Sequence, residues 1–373
     1  MTEAYLKTLS DTLRAYGVDK PVVVVDLDRL DTNCSVANGA ADAGLARRLV
    51  AKSLPCLPLL DFIRDRIPTS GLMTFSEQML QALLLAEPDT DHLLGKPLPV
   101  TSAARLLAGS PDAARRVQWL IDTPARLGEY LTLATDRKTP LRLSLELDIG
   151  LHRGGIRPGQ VAELVQQITT HPYGQLVGVM GYEAHLAKLP GLLRKRAERA
   201  SAAAFRAGVS ALPEGGRGLC LNTGGSLTFQ SYFASGLANE VAFGSVLVKP
   251  SDFDHETTRS FDPAAFIATP VLKALPGNAL PGLDFLPRRR TDIAVFGGHF
   301  LAQPVFPEGF GYSGIFGRSS NQEVWTGPNA ASVAPGDIAL LRPTQSEAVL
   351  NQFGRILAIK EGKIVHDWEC LPN

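Results

Sequence analysis

From residue 21 to about residue 250, short apolar runs alternate with amphipathic stretches. No other feature restricts the fold as much. A strand buried on both faces reads as a continuous β-branched run, whereas a surface helix reads with a 3.6-residue period. The first run is Pro21-Val22-Val23-Val24-Val25-Asp26. Others fall at Leu49–Lys52, Gly71–Thr74, His92–Leu94, Val117–Ile121, Leu141–Leu147, Leu176–Tyr182, Leu219–Leu221 and Glu240–Val248. Helices are expected over residues 1–20, Leu27–Ala43, Glu77–Ala86, Pro158–Thr169 and Leu192–Leu212, with Gly44 a stop signal for the second. Strand alternating with helix predicts a parallel α/β architecture, and this many units suits a closed, TIM-like (β/α)8 barrel.

Past about residue 255 the helical signals vanish. Gly, Pro and short apolar runs take over, among them Asp292–Phe296, Asp337–Leu341 and Arg355–Ile359. That pattern predicts an antiparallel β domain. The expected division is a barrel over residues 1–255 and a C-terminal β domain over residues 256–373, the latter built partly from the chain's ends. No internal repeat or low-complexity tract is visible.

Lys+Arg and Asp+Glu number 37 each, so no net field draws the chain to nucleic acid or to an anionic membrane. Arg288-Arg289-Arg290 is a local basic run, expected as a solvated loop. The four cysteines, Cys34, Cys56, Cys220 and Cys370, are scattered without zinc-ligand spacing. No run approaches the ~20 apolar residues of a membrane span, and the first residues hold no apolar signal core. A cytoplasmic protein with reduced thiols is expected.

Four short motifs sit at the ends of apolar runs. Leu49-Val50-Ala51-Lys52 delivers a lysine to a strand end, the catalytic face of a barrel. Apolar surroundings disfavour the ammonium form, and a neutral amine attacks an aldehyde to form a Schiff base. The plain alternative is an exposed lysine closing a strand. Asp148-Ile149-Gly150-Leu151-His152-Arg153-Gly154-Gly155 offers the forked guanidinium of Arg153 beside glycines that allow close backbone approach. A Gly-rich turn with a surface arginine reads the same way. In Gly181-Tyr182-Glu183-Ala184-His185, Tyr182 can stack on a ring and His185 can relay protons. Both can face one ligand only if His185 lies past the strand, because alternation otherwise sends them to opposite faces. Asn222-Thr223-Gly224-Gly225-Ser226 follows a late strand and can form an anion nest, or an ordinary loop. A lysine, an arginine, a Tyr/His pair and an anion cradle are together what an aldehyde cofactor with a phosphate tail needs. The cofactor expected is pyridoxal phosphate.

The order of these motifs resembles the alanine racemase-type, fold-type III pyridoxal phosphate enzymes, and within them the branch containing D-threonine aldolase and D-serine dehydratase. The resemblance covers nearly the whole chain, from the Pro-Val-x-Val-Val-Asp-Leu-Asp opening to the C-terminal β domain. It implies that Lys52 carries the cofactor, Arg153 faces its phenolic oxygen, Tyr182 and His185 line its ring, and Thr223, Gly224 and Gly225 help hold its phosphate. It also implies a homodimer, with the β domain of one subunit closing the other's site; Tyr312 is the candidate wall.

Two departures qualify this. Alanine racemases carry an arginine for the pyridine nitrogen near the segment matching Glu240-Val241, and none stands here. The aldolase and dehydratase relatives have a His-x-Asp or His-x-Cys metal pair late in the β domain, where this chain has Gln345 and Glu347. An amide and a carboxylate suit zinc poorly. Gln345 and Glu347 are therefore expected to contact substrate, or Glu347 to carry a proton, with no tightly held metal; a pair of surface polar residues on a turn reads the same way. A weak Mg²⁺ or Mn²⁺ site on Glu347 is the alternative. His299 and His366 are the other late histidines considered. The expected activity is a lyase on D-configured β-hydroxy amino acids, by aldol cleavage or by dehydration, with Lys52, His185 and Glu347 as catalytic candidates. An amino acid racemase, or a pyridoxal phosphate-binding protein without turnover, is the alternative.

Overall fold

The computed structural model describes residues 1–39, 44–286, 288–329 and 332–372. Two compact units emerge. One comprises Ala37–Leu54, Leu59–Gly244 and Leu371–Asn373; the other comprises Met1–Val36, Pro55–Pro58 and Ser245–Cys370.

The first unit is a closed barrel of eight parallel strands. They are β2 (Ala46–Val50), β3 (Gly71–Thr74), β4 (His92–Leu94), β5 (Val117–Ile121), β6 (Leu141–Leu147), β7 (Gly174–Gly181), β8 (Cys220–Thr223) and β9 (Glu240–Phe243). Each pairs with the next, and β2 closes on β9 in the register Ala46↔Glu240. Helices fill the crossovers, as parallel neighbours require. They include Glu77–Ala86, Val161–Thr170 and Gly191–Ser210, close to the expected stretches.

The second unit is a nine-stranded sheet built around β1 (Val22–Asp26). β1 pairs antiparallel with β10 (Ala265–Pro276) and parallel with β16 (Arg355–Lys360). The remaining strands are β11 (Arg290–Phe296), β12 (Ala302–Phe306), β13 (Gly311–Tyr312), β14 (Gln322–Pro328), β15 (Ile338–Pro343) and β17 (Lys363–Glu369). Apart from the β1–β16 pair, its ladders are antiparallel. The helix Glu3–Tyr16 lays Leu6, Leu9 and Leu13 onto Val24, Phe266, Leu340 and Leu357. Thr2 caps its start, and Gly17, in a left-handed conformation, ends it.

The opening strand therefore belongs to the β unit, whereas a division at residue 255 groups it with the barrel. A continuous Val run suits the middle of any two-faced sheet, so its pattern names no particular sheet. The helix expected over Leu27–Ala43 forms over Leu27–Asn38, and its last expected residues, 40–43, lie outside the described residues. Only part of the basic run is a solvated loop: Arg289 and Arg290 are exposed, but Arg288 is not. Arg290 opens β11, and Arg288 donates to Asp292 at 2.5 Å, a carboxylate with 0% side-chain exposure. The four cysteines are free thiols. No helix among the described residues is long and apolar enough to cross a membrane.

Candidate active site at the strand ends of the barrel

All strands of a parallel barrel end on one face, and four of them deliver the candidate residues there. β2 stops at Val50, two residues earlier than expected, and Ala51–Ser53 form a single 3-10 turn carrying Lys52. The Lys52 Nζ lies 4.4 Å from the centroid of the Phe75 ring, which follows β3. β6 leads into the Arg153 loop, whose two sides are tied by Asp148 N–H to the Ile156 carbonyl (3.0 Å) and Ile156 N–H to the Glu146 carbonyl (2.7 Å). Asp148 holds the loop's interior. Its carboxylate accepts from the backbone N–H groups of Gly150 and His152, both at 3.1 Å, and sits 2.8 Å from His152 Nδ1. Burial alone would push the Asp148 carboxyl up, but these bonds outweigh it and hold it below the usual carboxylate range.

Tyr182 leaves the end of β7, and the Arg153 guanidinium stands 5.5 Å from its ring centroid. The ring rests against Gly225: a Cβ there would lie 2.6 Å from Tyr182 Cε2. His185 does lie past the strand, in the 3-10 turn Ala184–Lys188. Its Nε2 faces Gly150, and its buried Nδ1 has no hydrogen-bond partner among the described residues. Burial, with His152 adding to it, holds this imidazole below its ordinary range, so it is neutral at pH 7.

The Thr223–Gly225 segment ends β8, the seventh strand of the barrel, where barrels often seat phosphate. Its donors point inward. The buried Thr223 hydroxyl donates to Glu183 Oε2 at 3.2 Å, the Thr228 hydroxyl donates to Glu183 Oε1 at 2.5 Å, and Gly225 N–H donates to Thr228 Oγ1 at 3.0 Å. Thr223 thus supports the turn from beneath rather than presenting its side chain. Gly224 adopts φ +84°, which favours glycine. Beside this turn the N–H of Gly244, just past β9, reaches Ser226 Oγ at 3.4 Å, joining the seventh and eighth strand ends. Sequence reasoning passed over Glu183 and took Asp148 only as the end of a strand. Neither carries a spacing signal that separates it from a surface carboxylate.

Glu240, at the position where an arginine was sought, starts β9 and lies at the opposite end of the barrel from these residues. It forms a buried pair with Arg48.

The β unit holds the remaining candidates. Gln345 is exposed and donates to Asp252 at 3.1 Å, while Glu347 turns toward Ser346 Oγ (3.3 Å) and Ser245 Oγ (3.5 Å). The two side chains therefore have different partners. The Tyr312 hydroxyl donates to the Ala302 carbonyl at 2.6 Å, and burial pushes the phenol up to about 12. Exposed His299 lies in a loop, and exposed His366 stacks on Trp368. Among the described residues no group of three or more His, Cys, Asp or Glu side chains is placed to hold a metal ion.

Residues 70–252 match the family model described as alanine racemase, N-terminal domain. The matched stretch includes Arg153, Tyr182, His185 and Thr223–Gly225 but not Lys52. Comparison with curated proteins finds no match. Solved structures share the fold at low identity. D-threonine aldolase from Filomicrobium marinum superposes with a TM-score of 0.78 at 17% identity, covering 94% of each chain. D-threo-3-hydroxyaspartate dehydratase from Delftia sp. HT23 gives 0.73 at 19% identity, covering 97% of this chain and 99% of that one. Alanine racemase from Bacillus anthracis gives 0.70 at 17% identity, covering 94% of this chain and 98% of that one. Over residues 70–252 the barrel is thus similar to the alanine racemase N-terminal domain, and solved structures that include an alanine racemase and a D-threonine aldolase share its fold.

Proposed function

We propose that this protein is a pyridoxal phosphate-dependent lyase acting, as a homodimer, on D-configured β-hydroxy amino acids. One observation carries the cofactor part: Lys52, Arg153, Tyr182 and the Thr223–Gly225 turn all leave the C-terminal ends of parallel barrel strands. The donor set fits the cofactor. A primary amine, a guanidinium and an aromatic ring flank a turn whose glycines offer no side chain to block a phosphate. The choice of substrate leans on the likeness to a D-threonine aldolase and a D-threo-3-hydroxyaspartate dehydratase.

In this reading Lys52 holds the cofactor covalently, Arg153 faces its phenolic oxygen, and Tyr182 and His185 line its ring. The Thr223–Gly225 turn, with Ser226 beside it, would hold its phosphate. Pyridoxal phosphate, when bound, supplies the electron sink for negative charge at the substrate Cα. The packing of Tyr182 on Gly225 fixes the angle of its ring. His185, neutral at pH 7, can accept a proton. Glu347 holds the proton of the substrate β-hydroxyl. Taking that proton permits Cα–Cβ cleavage, and giving one to the departing hydroxyl permits dehydration. Its bonds to Ser245 and Ser346 orient the carboxylate for either role.

The test is a panel of D- and L-amino acids with the purified protein, following aldehyde, 2-oxo acid and chirality separately. Aldehyde or 2-oxo acid released from D-β-hydroxy amino acids is the expected result. Interconversion of enantiomers without release would overturn the lyase reading in favour of a racemase. No turnover of any substrate, with the cofactor bound, would favour a carrier of pyridoxal phosphate.

A further inference from the structure

Glu183 occupies the middle of a strand-end motif, yet the proposed chemistry does not use it. Its side chain is completely buried, at 0% exposure. A carboxyl in such a place is costly unless its hydrogen-bonding capacity is met. Both of its oxygens are engaged. The Thr223 hydroxyl donates to Oε2 and the Thr228 hydroxyl to Oε1. Both donors come from one stretch of chain, the end of β8 and the turn that follows it.

Thr228 makes the arrangement specific. Its oxygen accepts the N–H of Gly225 at 3.0 Å while its own hydroxyl donates to Glu183 at 2.5 Å. One buried side chain thereby holds the turn at two points, Thr223 directly and the Gly225 peptide through Thr228. The turn needs such an anchor, because glycines restrict their own backbone least.

We infer that Glu183 is the positioning residue of the phosphate seat, holding the Gly224–Gly225 turn from beneath so that its bare outer surface stays shaped for a phosphate monoester. This rests on the cofactor reading above. Burial pushes the Glu183 carboxyl above its ordinary range. The role is confined to the phosphate end of the ligand, so Glu183 should distinguish pyridoxal phosphate from pyridoxal.

The full chain, stripped of cofactor, is titrated with each compound and binding is followed by absorbance. Glu183→Gln keeps the volume but replaces two acceptor positions with donors. It is expected to weaken pyridoxal phosphate by about tenfold or more, as for loss of a hydrogen bond to a charged group, and to leave pyridoxal unchanged. Thr228→Val cuts only the relay to Gly225 and should act in the same direction, whereas Thr228→Ser should bind as the unaltered protein does. Thermal unfolding of each stripped variant establishes that it folds. Equal weakening of both compounds in Glu183→Gln and Thr228→Val, or no weakening of either, would overturn the inference while leaving the cofactor reading standing. An unaltered protein that takes up neither compound would overturn the cofactor reading, and this inference with it.

Discussion

The barrel's closing seam holds a buried ion pair whose removal should be costly in a specific order. Arg48 on β2 and Glu240 on β9 have side chains 2% and 5% exposed, and their bidentate contacts measure 2.7 and 2.9 Å. Arg48 also meets Asp91 at 2.9 Å, and Asp91 meets Arg142 at 2.6 Å. Glu240 accepts from Ser70 at 2.5 Å and from Asn222 at 2.8 Å, both neutral. Arg48→Met therefore strands Glu240 without a cation, and breaking a buried pair this way costs about 3–5 kcal/mol. Glu240→Gln leaves Arg48 its second carboxylate, so its cost should fall at or below about 3 kcal/mol. The double variant should lose less than the two single losses combined, by about 1–3 kcal/mol, as expected for residues in one network. Urea unfolding followed by tryptophan fluorescence and circular dichroism reads this. Trp119 is the only tryptophan in the barrel, and Trp325 and Trp368 report on the β unit. A cost for Arg48→Met no larger than that for Glu240→Gln, or strict additivity, would refute the reasoning. Acid gives a second check. Burial pushes Glu240 and Asp91 up, but Arg48 and their other partners outweigh it, so both sit below their ordinary values of 4.5 and 3.8. Their stabilisation is complete above those values and is lost as pH falls through the lower folded values. Arg48→Met should flatten that part of the acid-unfolding profile.

Borohydride reduction of the protein loaded with pyridoxal phosphate should fix the label on Lys52 by peptide mapping, and Lys52→Ala should lose the absorbance of the bound cofactor; a label on another lysine would move the site. Gly224→Val forces a β-branched residue to φ +84° and places a Cβ 3.2 Å from Phe229 Cα, so cofactor affinity should fall more than global stability does. His92 is fully buried with both ring nitrogens unbonded among the described residues, and burial, with Arg116 adding to it, pushes it down to about 4. The native state then binds fewer protons than the unfolded chain between roughly pH 6.5 and 4, so stability falls by about 3 kcal/mol as pH drops through that window, and His92→Leu should remove this fall in a pH series of urea midpoints. Activity should survive chelation, and Glu347→Gln should cut turnover while cofactor remains on Lys52; activity lost to a chelator and restored by Mg²⁺ or Mn²⁺ would place a metal on Glu347 instead.

Much of the fold was legible because barrel strands have strong local signatures. Val117–Ile121 is a mostly apolar run, Leu141–Leu147 alternates leucine with Arg142, Ser144 and Glu146, and both form as read. The boundaries that moved did so for local reasons. The expected strand Glu240–Val248 stops at Phe243, and Ser245–Val248 wind into a helical turn after Gly244. Pairing partners were not legible. Val22–Asp26 has the composition of a barrel strand, but its neighbours are β10 and β16, more than two hundred residues later, and no local pattern encodes contacts at that separation. The same holds for Arg288, which reads as part of a basic loop until the chain folds Asp292, Asn278 and Thr326 around one buried carboxylate.

The site divides along the same line. Residues with unusual side-chain chemistry at a strand end, such as Lys52, Arg153 and Tyr182, stand out in sequence because that chemistry has few structural uses there. Residues that hold them in place do not. Asp148 and Glu183 are ordinary carboxylates by composition, and each gains its role from backbone N–H or hydroxyl groups that face it only after folding. Glu183 shows why this matters for chemistry. Thr223-Gly224-Gly225 reads as a set of outward donors, but a turn whose glycines were fixed by nothing else would sample many conformations. The inward bonds to Glu183 remove that freedom before a ligand arrives. An anion site can therefore gain affinity from donors that never touch the anion, through a lower ordering cost on binding. In a chain with this motif, the carboxylate beneath the turn is as informative about phosphate recognition as the glycines above it.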